Sequence, residues 1–255
     1  MSRVFITGSS EGLGRAAAQE LIADGHEVIV HARSNERARS LRGSLVGVAA
    51  VVVGDLASAA ETRALAAQVN AIGRMDAVIH NAGIYMETSR GNTPEGHATV
   101  LAVNTLAAYL LTALMERPAR LVYLSSGMHR DGEGSLRDID WIERRWQTTR
   151  AYCETKLHVA ALAAALEHRW PEVLSNAVDP GWVPTRMGGA GAPDDLQMGH
   201  QTQTWLATSS DAAALVSGGY WHHKKRQKPA GEVSDRTFQN QLLARLAQLT
   251  GVSLP

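Results

Sequence analysis

Short, continuously apolar runs alternate with longer segments rich in Ala and Leu through most of this chain. Uninterrupted apolar runs are typical of parallel strands that are covered on both faces, and the intervening segments are long enough for crossover helices. The alternation therefore predicts an α/β fold, a doubly wound and mainly parallel sheet with helices on both faces. The predicted strands are Val4–Thr7, Glu27–His31, Val48–Val53, Ala77–His80, Arg120–Ser125 and Val173–Val178. The predicted helices are Gly14–Ala23, Glu36–Arg42, Ala59–Ala71, Pro94–Met115 and Thr149–His168.

No linker, repeat or change in composition divides the 255 residues, so we predict one domain over residues 1–255. The regular alternation covers residues 1–180 and fades in residues 181–255. Gly188–Gly191 and Gly218–Pro229 are predicted to be loops, because the first is rich in glycine and the second in glycine and basic residues.

The composition argues against several classes of protein. The 25 basic and 25 acidic residues give a net charge of zero, which argues against a nucleic-acid partner. The single cysteine, Cys153, cannot form an internal disulfide bond and fits a reducing compartment. The first apolar run begins at Val4, which leaves no room for a signal peptide, and the most apolar stretch, Leu106–Met115, is too short to span a bilayer. We therefore expect a cytoplasmic protein without a membrane partner, and no His, Cys and Glu cluster has the spacing of metal ligands.

A glycine-rich loop, Thr7-Gly8-Ser9-Ser10-Glu11-Gly12-Leu13-Gly14, joins the first predicted strand to the first helix. Glycines let the backbone turn sharply and approach a ligand closely, and the following helix offers free N–H groups to a pyrophosphate. The loop resembles the Thr-Gly-x3-Gly-x-Gly loop of the short-chain dehydrogenase/reductase family, whose fold is a Rossmann-like sheet. The resemblance implies cofactor contacts from Gly8, Ser10, Gly12, Leu13 and Gly14.

The second predicted strand is followed by Ala32 and Arg33. In folds that prefer NAD, an acidic side chain near this point accepts hydrogen bonds from the ribose 2′-hydroxyl, and no acidic residue stands here. A guanidinium instead pairs well with a 2′-phosphate. Arg33 therefore predicts NADP as the cofactor rather than NAD, the alternative being a surface arginine beside the helix cap Ser34.

Two shorter motifs follow the third and fourth predicted strands. Asp55-Leu56 resembles the family's adenine-contacting Asp with its neighbour. Asn81-Ala82-Gly83 resembles the end of the family's Asn-Asn-Ala-Gly motif, with His80 in place of the first Asn. The resemblance places both motifs on the adenosine side of the cofactor site.

Tyr152 and Lys156 lie four residues apart in an Ala-rich segment, so they share one face of a predicted helix. A free phenol has a pKa of about 10, and a nearby ammonium lowers that pKa towards the range that general acid–base catalysis needs. Lys156 is the only lysine before residue 224 in a chain with 21 Arg and 4 Lys, which favours a role beyond surface charge. Tyr220 and Lys224 have the same spacing but fall in the predicted Gly218–Pro229 loop, so we predict that this second pair is not catalytic.

Ser125-Ser126 ends the fifth predicted strand, at the edge of the sheet where the glycine loop also lies. A hydroxyl at this edge can hold the oxygen of a substrate carbonyl. By resemblance, Ser126 is the catalytic serine, and Tyr152 is the acid/base with Lys156 beside it, both also contacting the cofactor. The resemblance also makes Asn104 part of a proton relay, and a plain helix-bending asparagine is the alternative for that residue.

The resemblance covers residues 3–185. Its last motif, Pro180-Gly181-Trp182-Val183-Pro184-Thr185, is similar to the family's Pro-Gly-x-Val-x-Thr segment, which implies that Pro180, Gly181, Val183 and Thr185 contact the nicotinamide amide. Ser126 and Tyr152 are 26 positions apart, more than is usual. The extra segment Gly127–Arg150 resembles the retinol-dehydrogenase and WW-domain-oxidoreductase branch.

The motifs together predict an NADP(H)-dependent carbonyl reductase, or alcohol dehydrogenase in the reverse direction, acting on a ketone or aldehyde. The Trp residues in segments expected to form the cleft favour a bulky apolar substrate; they are Trp141, Trp146, Trp182 and Trp205. Two alternatives stay open, an epimerase or dehydratase that retains its nicotinamide and a non-catalytic dinucleotide-sensing protein. The family commonly pairs along the helix that carries Tyr152, which leaves a homo-oligomer open.

Overall fold

The structure is a computed structural model that describes residues 1–85 and 87–255. Its strands are β1 (Arg3–Ile6), β2 (Glu27–Ala32), β3 (Ala50–Val53), β4 (Ala77–His80), β5 (Arg120–Leu124), β6 (Leu174–Asp179), β7 (Gly219–His222) and β8 (Lys225–Gln227). Its α-helices are α1 (Gly12–Ala23), α2 (Asn35–Ser44), α3 (Ala59–Ile72), α4 (Thr99–Leu101), α5 (Ala107–Leu114), α6 (Thr148–Arg169), α7 (Leu196–Thr208), α8 (Gly231–Ser234) and α9 (Arg236–Thr250). A π-helical turn, Ala102–Leu106, joins α4 to α5, and 3-10 turns cover Gly127–Asp131 and Ala212–Ala214.

All eight strands belong to one sheet, in the order β3-β2-β1-β4-β5-β6-β7-β8. Strands β1 to β7 are parallel and β8 is antiparallel to β7. The strand order reverses between β1 and β4, so the predicted doubly wound α/β fold is confirmed. In sheets of this kind, ligands bind in the crevice at the carboxyl ends of the strands, at the point of reversal.

Helices cover both faces of the sheet. Val4 and Ile6 of β1 pack in a cluster with α1, α2 and α7, whereas Phe5 packs in a second cluster with α3, α5, α6 and α9. Successive residues of a strand point to opposite faces, so the three consecutive apolar residues Val4, Phe5 and Ile6 of β1 require a helix layer on each side. Among the described residues, no helix combines the length and the apolar character needed to cross a bilayer.

The structure differs from the sequence prediction mainly in the last third of the chain. The predicted loop Gly218–Pro229 contains strands β7 and β8, so that assignment is wrong. These two strands extend the sheet beyond β6: β7 pairs in parallel with β6, and β8 pairs antiparallel with β7 at the edge of the sheet. The predicted helix Pro94–Met115 begins only at Thr99, since Thr93–Gly96 forms a hydrogen-bonded turn.

Helix α6 is enclosed by the rest of the chain, and every residue from Ala151 to Leu166 is buried. One side packs on the sheet, and α9 covers another side with apolar residues such as Leu242 and Leu246. The segment Gly127–Arg150 covers the N-terminal part of α6. That segment is fixed by an ion pair between its Arg144 and the buried Glu154 of α6, with Nη1–Oε1 and Nη2–Oε2 distances of 2.8 and 2.9 Å.

Candidate active site

The glycine loop between β1 and α1 forms an open cradle. Gly8 and Gly12 have φ values of 64° and 57°, in the left-handed region that favours glycine. A Cβ at Gly8 would lie 2.8 Å from the Cα atom of Ala82, so the loop passes too close to the segment after β4 for any other residue. Helix α1 starts at Gly12 without a side-chain cap, which leaves its first N–H groups free for an anion. The cradle therefore fits the pyrophosphate of a dinucleotide.

Side chains from the neighbouring strands hold this loop in place. The Asn81 amide donates to the carbonyl oxygens of Thr7 and Gly8 at 3.0 and 3.1 Å, and the Ala82 N–H donates to the Thr7 hydroxyl. Asn81 and Ala82 thus dock the glycine loop on β4. His80, at the first Asn position of the family motif, lies in the core, where burial lowers its pKa to about 3.

His31 is a further support that sequence reasoning missed. Its Nδ1 accepts the N–H of Gly8 at 3.0 Å, so the ring proton is on Nε2, which donates to the Gly54 carbonyl at 2.7 Å. Burial lowers the pKa of His31 and keeps the ring neutral, as the acceptor role of Nδ1 requires. A histidine that ends the apolar run Val28–Val30 is the signal that could have identified it.

The positions predicted to bind the adenosine part lie at the carboxyl ends of β2 and β3. Arg33 is exposed and makes no ion pair within residues 1–85 and 87–255, whereas Arg37 lies 3.6 Å from the Glu11 carboxylate of the glycine loop. Asp55 follows β3, where its side chain accepts the Ala57 N–H at 2.9 Å, and its neighbour Leu56 is buried. These side chains surround the same end of the crevice.

The segment from Pro180 to Thr185 leaves β6 and reaches the glycine loop. A Cβ at Gly12 would lie 3.4 Å from Thr185 Cγ2, so the two segments are in van der Waals distance. Gly181 has a φ of 82°. Val183 is buried, and its Cγ1 atom and Leu13 Cδ2 would lie 2.7 and 2.9 Å from a Cβ at Gly199 in the first turn of α7. The structure therefore brings the predicted nicotinamide segment to the predicted phosphate loop.

The four predicted catalytic residues meet at the carboxyl edge of the sheet. The Lys156 ammonium donates to the Leu124 carbonyl at 2.8 Å and lies 5.6 Å from the centre of the Tyr152 ring. A Cβ at Gly83 would lie 3.2 Å from Lys156 Nζ and 3.5 Å from Asn104 Oδ1, so this glycine leaves open space between the two groups. The Ser126 hydroxyl caps the 3-10 turn Gly127–Asp131 by accepting the Met128 N–H at 3.2 Å.

Asn104 is positioned by the π-helical turn Ala102–Leu106. Its Oδ1 accepts the Ile84 N–H at 2.8 Å, and its Nδ2 donates to the Ile84 carbonyl and to the Thr155 hydroxyl, each at 3.0 Å. Single π-helical turns inside α-helices are frequent at functional sites. This one turns a polar side chain out of an apolar helix towards Lys156.

Burial dominates the titration of the Tyr152–Lys156 pair. It lowers the pKa of Lys156 to about 8, because the ammonium loses its water shell. Burial also raises the pKa of Tyr152, and the neighbouring Ser126 hydroxyl opposes that shift. The expectation that the ammonium lowers the phenol's pKa is therefore not met in this structure. The phenol stays protonated at neutral pH, in the form that donates a proton.

The tryptophans that the sequence singled out differ in their surroundings. Trp141 is buried and donates from Nε1 to the Glu154 carboxylate at 2.9 Å, and Trp205 packs edge-on against Trp221 on the opposite face of the sheet. Trp182 is 60% exposed. Tyr85, which sequence reasoning did not identify, lies against the Tyr152 ring with the ring centres 4.4 Å apart.

The second Tyr-x3-Lys pair lies on a strand and in its turn, not in a loop as expected. Tyr220 belongs to β7 and is buried, with its ring 4.5 Å from that of His129. Lys224 lies in the turn between β7 and β8 with a φ of 60°, so the pair shares no helix face. Of the two pairs, Tyr152 and Lys156 form the one that shares a helix face, with the ammonium beside the tyrosine ring.

The comparisons with known proteins identify the family of this chain. Residues 2–195 match the short-chain dehydrogenase family. The short-chain dehydrogenase chyC of Penicillium rubens is 39% identical over 100% of this chain and 100% of its own length. Chry4 of Gibberella zeae, also a short-chain dehydrogenase, is 39% identical over 100% of this chain and 99% of its own length. Human retinol dehydrogenase 13 is 30% identical over 99% of this chain and 85% of its own.

Solved structures share the fold over most of their length. A putative uncharacterized protein from Mycobacterium paratuberculosis has a TM-score of 0.87 at 25% identity and covers 100% of this chain and 95% of its own. A blue fluorescent protein from a metagenomic library, in complex with NADPH, has a TM-score of 0.69 at 20% identity and covers 87% of this chain and 95% of its own. With the family match over residues 2–195, the chain belongs to the short-chain dehydrogenase/reductase family of NAD(P)-dependent oxidoreductases.

Proposed function

We propose that this protein is an NADP(H)-dependent carbonyl reductase, reversible as an alcohol dehydrogenase. The observation that carries the proposal is the position of Lys156, whose ammonium is held by the Leu124 carbonyl beside the Tyr152 ring. Ser126 stands next to this pair at the edge of the sheet that the glycine loop also borders. A proton donor, a cation and a hydroxyl at the mouth of a dinucleotide crevice suit the reduction of a carbonyl group.

Each residue has a distinct part in this proposal. The nicotinamide cofactor, when bound, supplies the hydride for the carbonyl carbon. Ser126 donates a hydrogen bond to the substrate oxygen, and the protonated Tyr152 phenol gives its proton to that oxygen as negative charge develops on it. The Lys156 ammonium stabilises the resulting phenolate. Asn104, whose side chain is fixed by hydrogen bonds to the Ile84 backbone, is part of the proton relay that includes Lys156.

A panel of ketones and aldehydes tests this function. We expect the purified protein to consume NADPH in the presence of at least one accepted carbonyl compound, followed by the loss of absorbance of the reduced cofactor. The variant Lys156→Met is the control, because it removes the ammonium while keeping an unbranched side chain of similar length. A protein that binds NADPH but reduces no member of a broad panel would contradict the proposal and favour an epimerase, a dehydratase or a sensor.

Arg33 is proposed to bind the 2′-phosphate of NADP. We expect NADPH to bind about tenfold to a hundredfold more tightly than NADH, as one charge-assisted hydrogen bond of about 1.5–3 kcal/mol provides. Arg33→Asp should reverse the preference. The control is Arg39→Asp, which makes the same charge change at an exposed position of α2. Fluorescence titrations with both cofactors measure the ratio, and equal affinities in the unmodified protein would refute this assignment.

Lys156 should make the reduction rate dependent on pH. Its pKa of about 8 means that the ammonium loses its proton as the pH rises above that value. We therefore expect kcat/KM for reduction to fall as the pH rises through about 8, because the uncharged amine no longer stabilises the phenolate. In Lys156→Arg, activity should be low, and what remains should show no fall near pH 8, since a guanidinium stays protonated. The same alkaline decline in both proteins would assign it to another group.

A further inference from the structure

Asp179 stands at the carboxyl end of β6, directly beside the predicted catalytic serine. In the register of the sheet, Leu124 of β5 pairs with Val178, and Asp179 pairs with His222 of β7. The chain that continues β5 therefore passes next to Asp179. A Cβ at Gly127 would lie 3.0 Å from Asp179 Oδ2, so the glycine after Ser126 leaves space for this carboxylate.

The two carboxylate oxygens of Asp179 have different environments. Oδ1 accepts the N–H of Gly181 at 3.0 Å and so shapes the turn that starts the nicotinamide segment. Oδ2 accepts no hydrogen bond from any residue in 1–85 or 87–255. His222 Nδ1 lies 3.7 Å from Oδ2 and 3.2 Å from the backbone carbonyl oxygen of Asp179. The Asp179 side chain is 15% exposed, so water reaches only a small part of it.

Two buried phenols feel the charge of this carboxylate. Burial raises the pKa of Tyr152 and of Tyr220, and the Asp179 carboxylate adds to both shifts. The Tyr220 hydroxyl is itself buried without a hydrogen-bond partner among the described residues. Asp179 Oδ2 keeps some contact with solvent, since the side chain is 15% exposed, so a ligand's donor can reach it and take the place of water. A bound ligand without a donor would instead leave this oxygen unpaired, which is unfavourable.

We propose that Asp179 selects carbonyl substrates that carry a hydrogen-bond donor, a hydroxyl or an ammonium group, on a carbon next to the carbonyl. Ser126 binds the carbonyl oxygen and Asp179 Oδ2 accepts from the neighbouring donor, so the two groups orient the substrate together. The inference rests on the proposed reductase function and narrows it to a substrate class. A site built to accept a donor discriminates strongly against an analogue that lacks it, because its own polar atom is then left unpaired.

Three matched aryl ketones test the inference, namely 2-hydroxy-1-phenylethanone, 2-amino-1-phenylethanone and 1-phenylpropan-1-one (propiophenone). They carry a hydroxyl, an ammonium or a methyl group on the carbon next to the carbonyl. We expect Asp179→Asn to reduce the hydroxyketone-to-propiophenone ratio of kcat/KM by about tenfold, and the aminoketone ratio by more. Any change in activity on propiophenone reports the effect of Asp179 on Tyr152 and on the Gly181 turn, and it cancels in the two ratios. Because each ratio is compared between the variant and the unmodified protein, the different intrinsic reactivities of the three ketones cancel.

The asparagine variant preserves an oxygen for the Gly181 N–H, and thermal unfolding checks that it folds. Gly127→Ala is a second variant, because its methyl group would occupy the space beside Oδ2 without changing any charge, and it should reduce the same two ratios. Asp131→Asn, on the exposed end of the 3-10 turn, is the control and should leave both ratios unchanged.

Two results would overturn the inference. Unchanged ratios in Asp179→Asn would show that the carboxylate does not contact the donor. An equal loss on all three ketones would show that Asp179 only supports the loop through Gly181. A failure of the reductase function itself looks different, since the unmodified protein would then reduce no carbonyl compound in the broad panel.

Discussion

Tyr152→Phe is expected to lower the turnover of carbonyl reduction by at least about a hundredfold. A phenol that donates the reacting proton provides general-acid catalysis, which is commonly worth about 10²–10⁴-fold. NADPH binding should survive, because the phenyl ring keeps its packing against Tyr85 and Lys156 keeps its hydrogen bond to Leu124. Steady-state rates with one accepted ketone, together with a fluorescence titration of NADPH, separate the loss of chemistry from a loss of cofactor.

Tyr220→Phe is the matched control for this experiment. Both tyrosines are buried, at 7% exposure for Tyr152 and 2% for Tyr220, and both precede a lysine by four residues. The Tyr220 hydroxyl makes no hydrogen bond within the described part of the chain, so its removal should change turnover by less than about tenfold. Near-normal turnover in Tyr152→Phe with a large loss in Tyr220→Phe would show that the active site is elsewhere.

Arg144→Met should reduce the free energy of unfolding by about 3–5 kcal/mol, the cost of removing one partner from a buried ion pair. The Glu154 carboxylate is almost completely buried, and without Arg144 its remaining donor is the Trp141 indole N–H at 2.9 Å. The Asp138 side chain and backbone lose their contacts with the same guanidinium. For a chain of this size the expected fall in Tm is roughly 10 °C, measured by thermal unfolding.

Arg137→Met is the control, because it removes an arginine from another Arg–Glu pair in the same segment. Arg137 and Glu143 lie 3.4 Å apart with side-chain exposures of 84% and 65%, and water screens such a pair. Its loss should leave Tm almost unchanged. Equal shifts in the two variants would mean that the bidentate contact with Glu154 does not anchor the segment to α6.

The sequence predicted the first six strands because each is an apolar run that needs cover on both faces. Strand β4 has the same ends in the prediction and in the structure. Strands β7 and β8 could not be found in this way. Residues 219–222 include a glycine and a histidine, and β8 consists of three exposed polar residues. β7 forms on the free edge of β6, and β8 then forms on the edge of β7, which is a tertiary effect that no local pattern contains.

The predicted site residues lie together because each follows or faces the carboxyl end of a parallel strand. The supporting contacts were not predictable, since they join distant parts of the chain. His31 connects Gly8 with Gly54, and Asp179 lies beside Gly127 through strand register alone. The direction of the Tyr152 pKa shift also depends on burial, which a spacing of four residues does not reveal.

The enclosure of α6 limits how two copies of this protein can assemble. A symmetric dimer needs the same surface patch on both subunits, and that patch must be free before they meet. Along α6, the protein's own C-terminal helix α9 and the segment Gly127–Arg150 already occupy the positions a second subunit would take. Any association must therefore use another surface, and Ser126, Tyr152 and Lys156 all come from a single subunit.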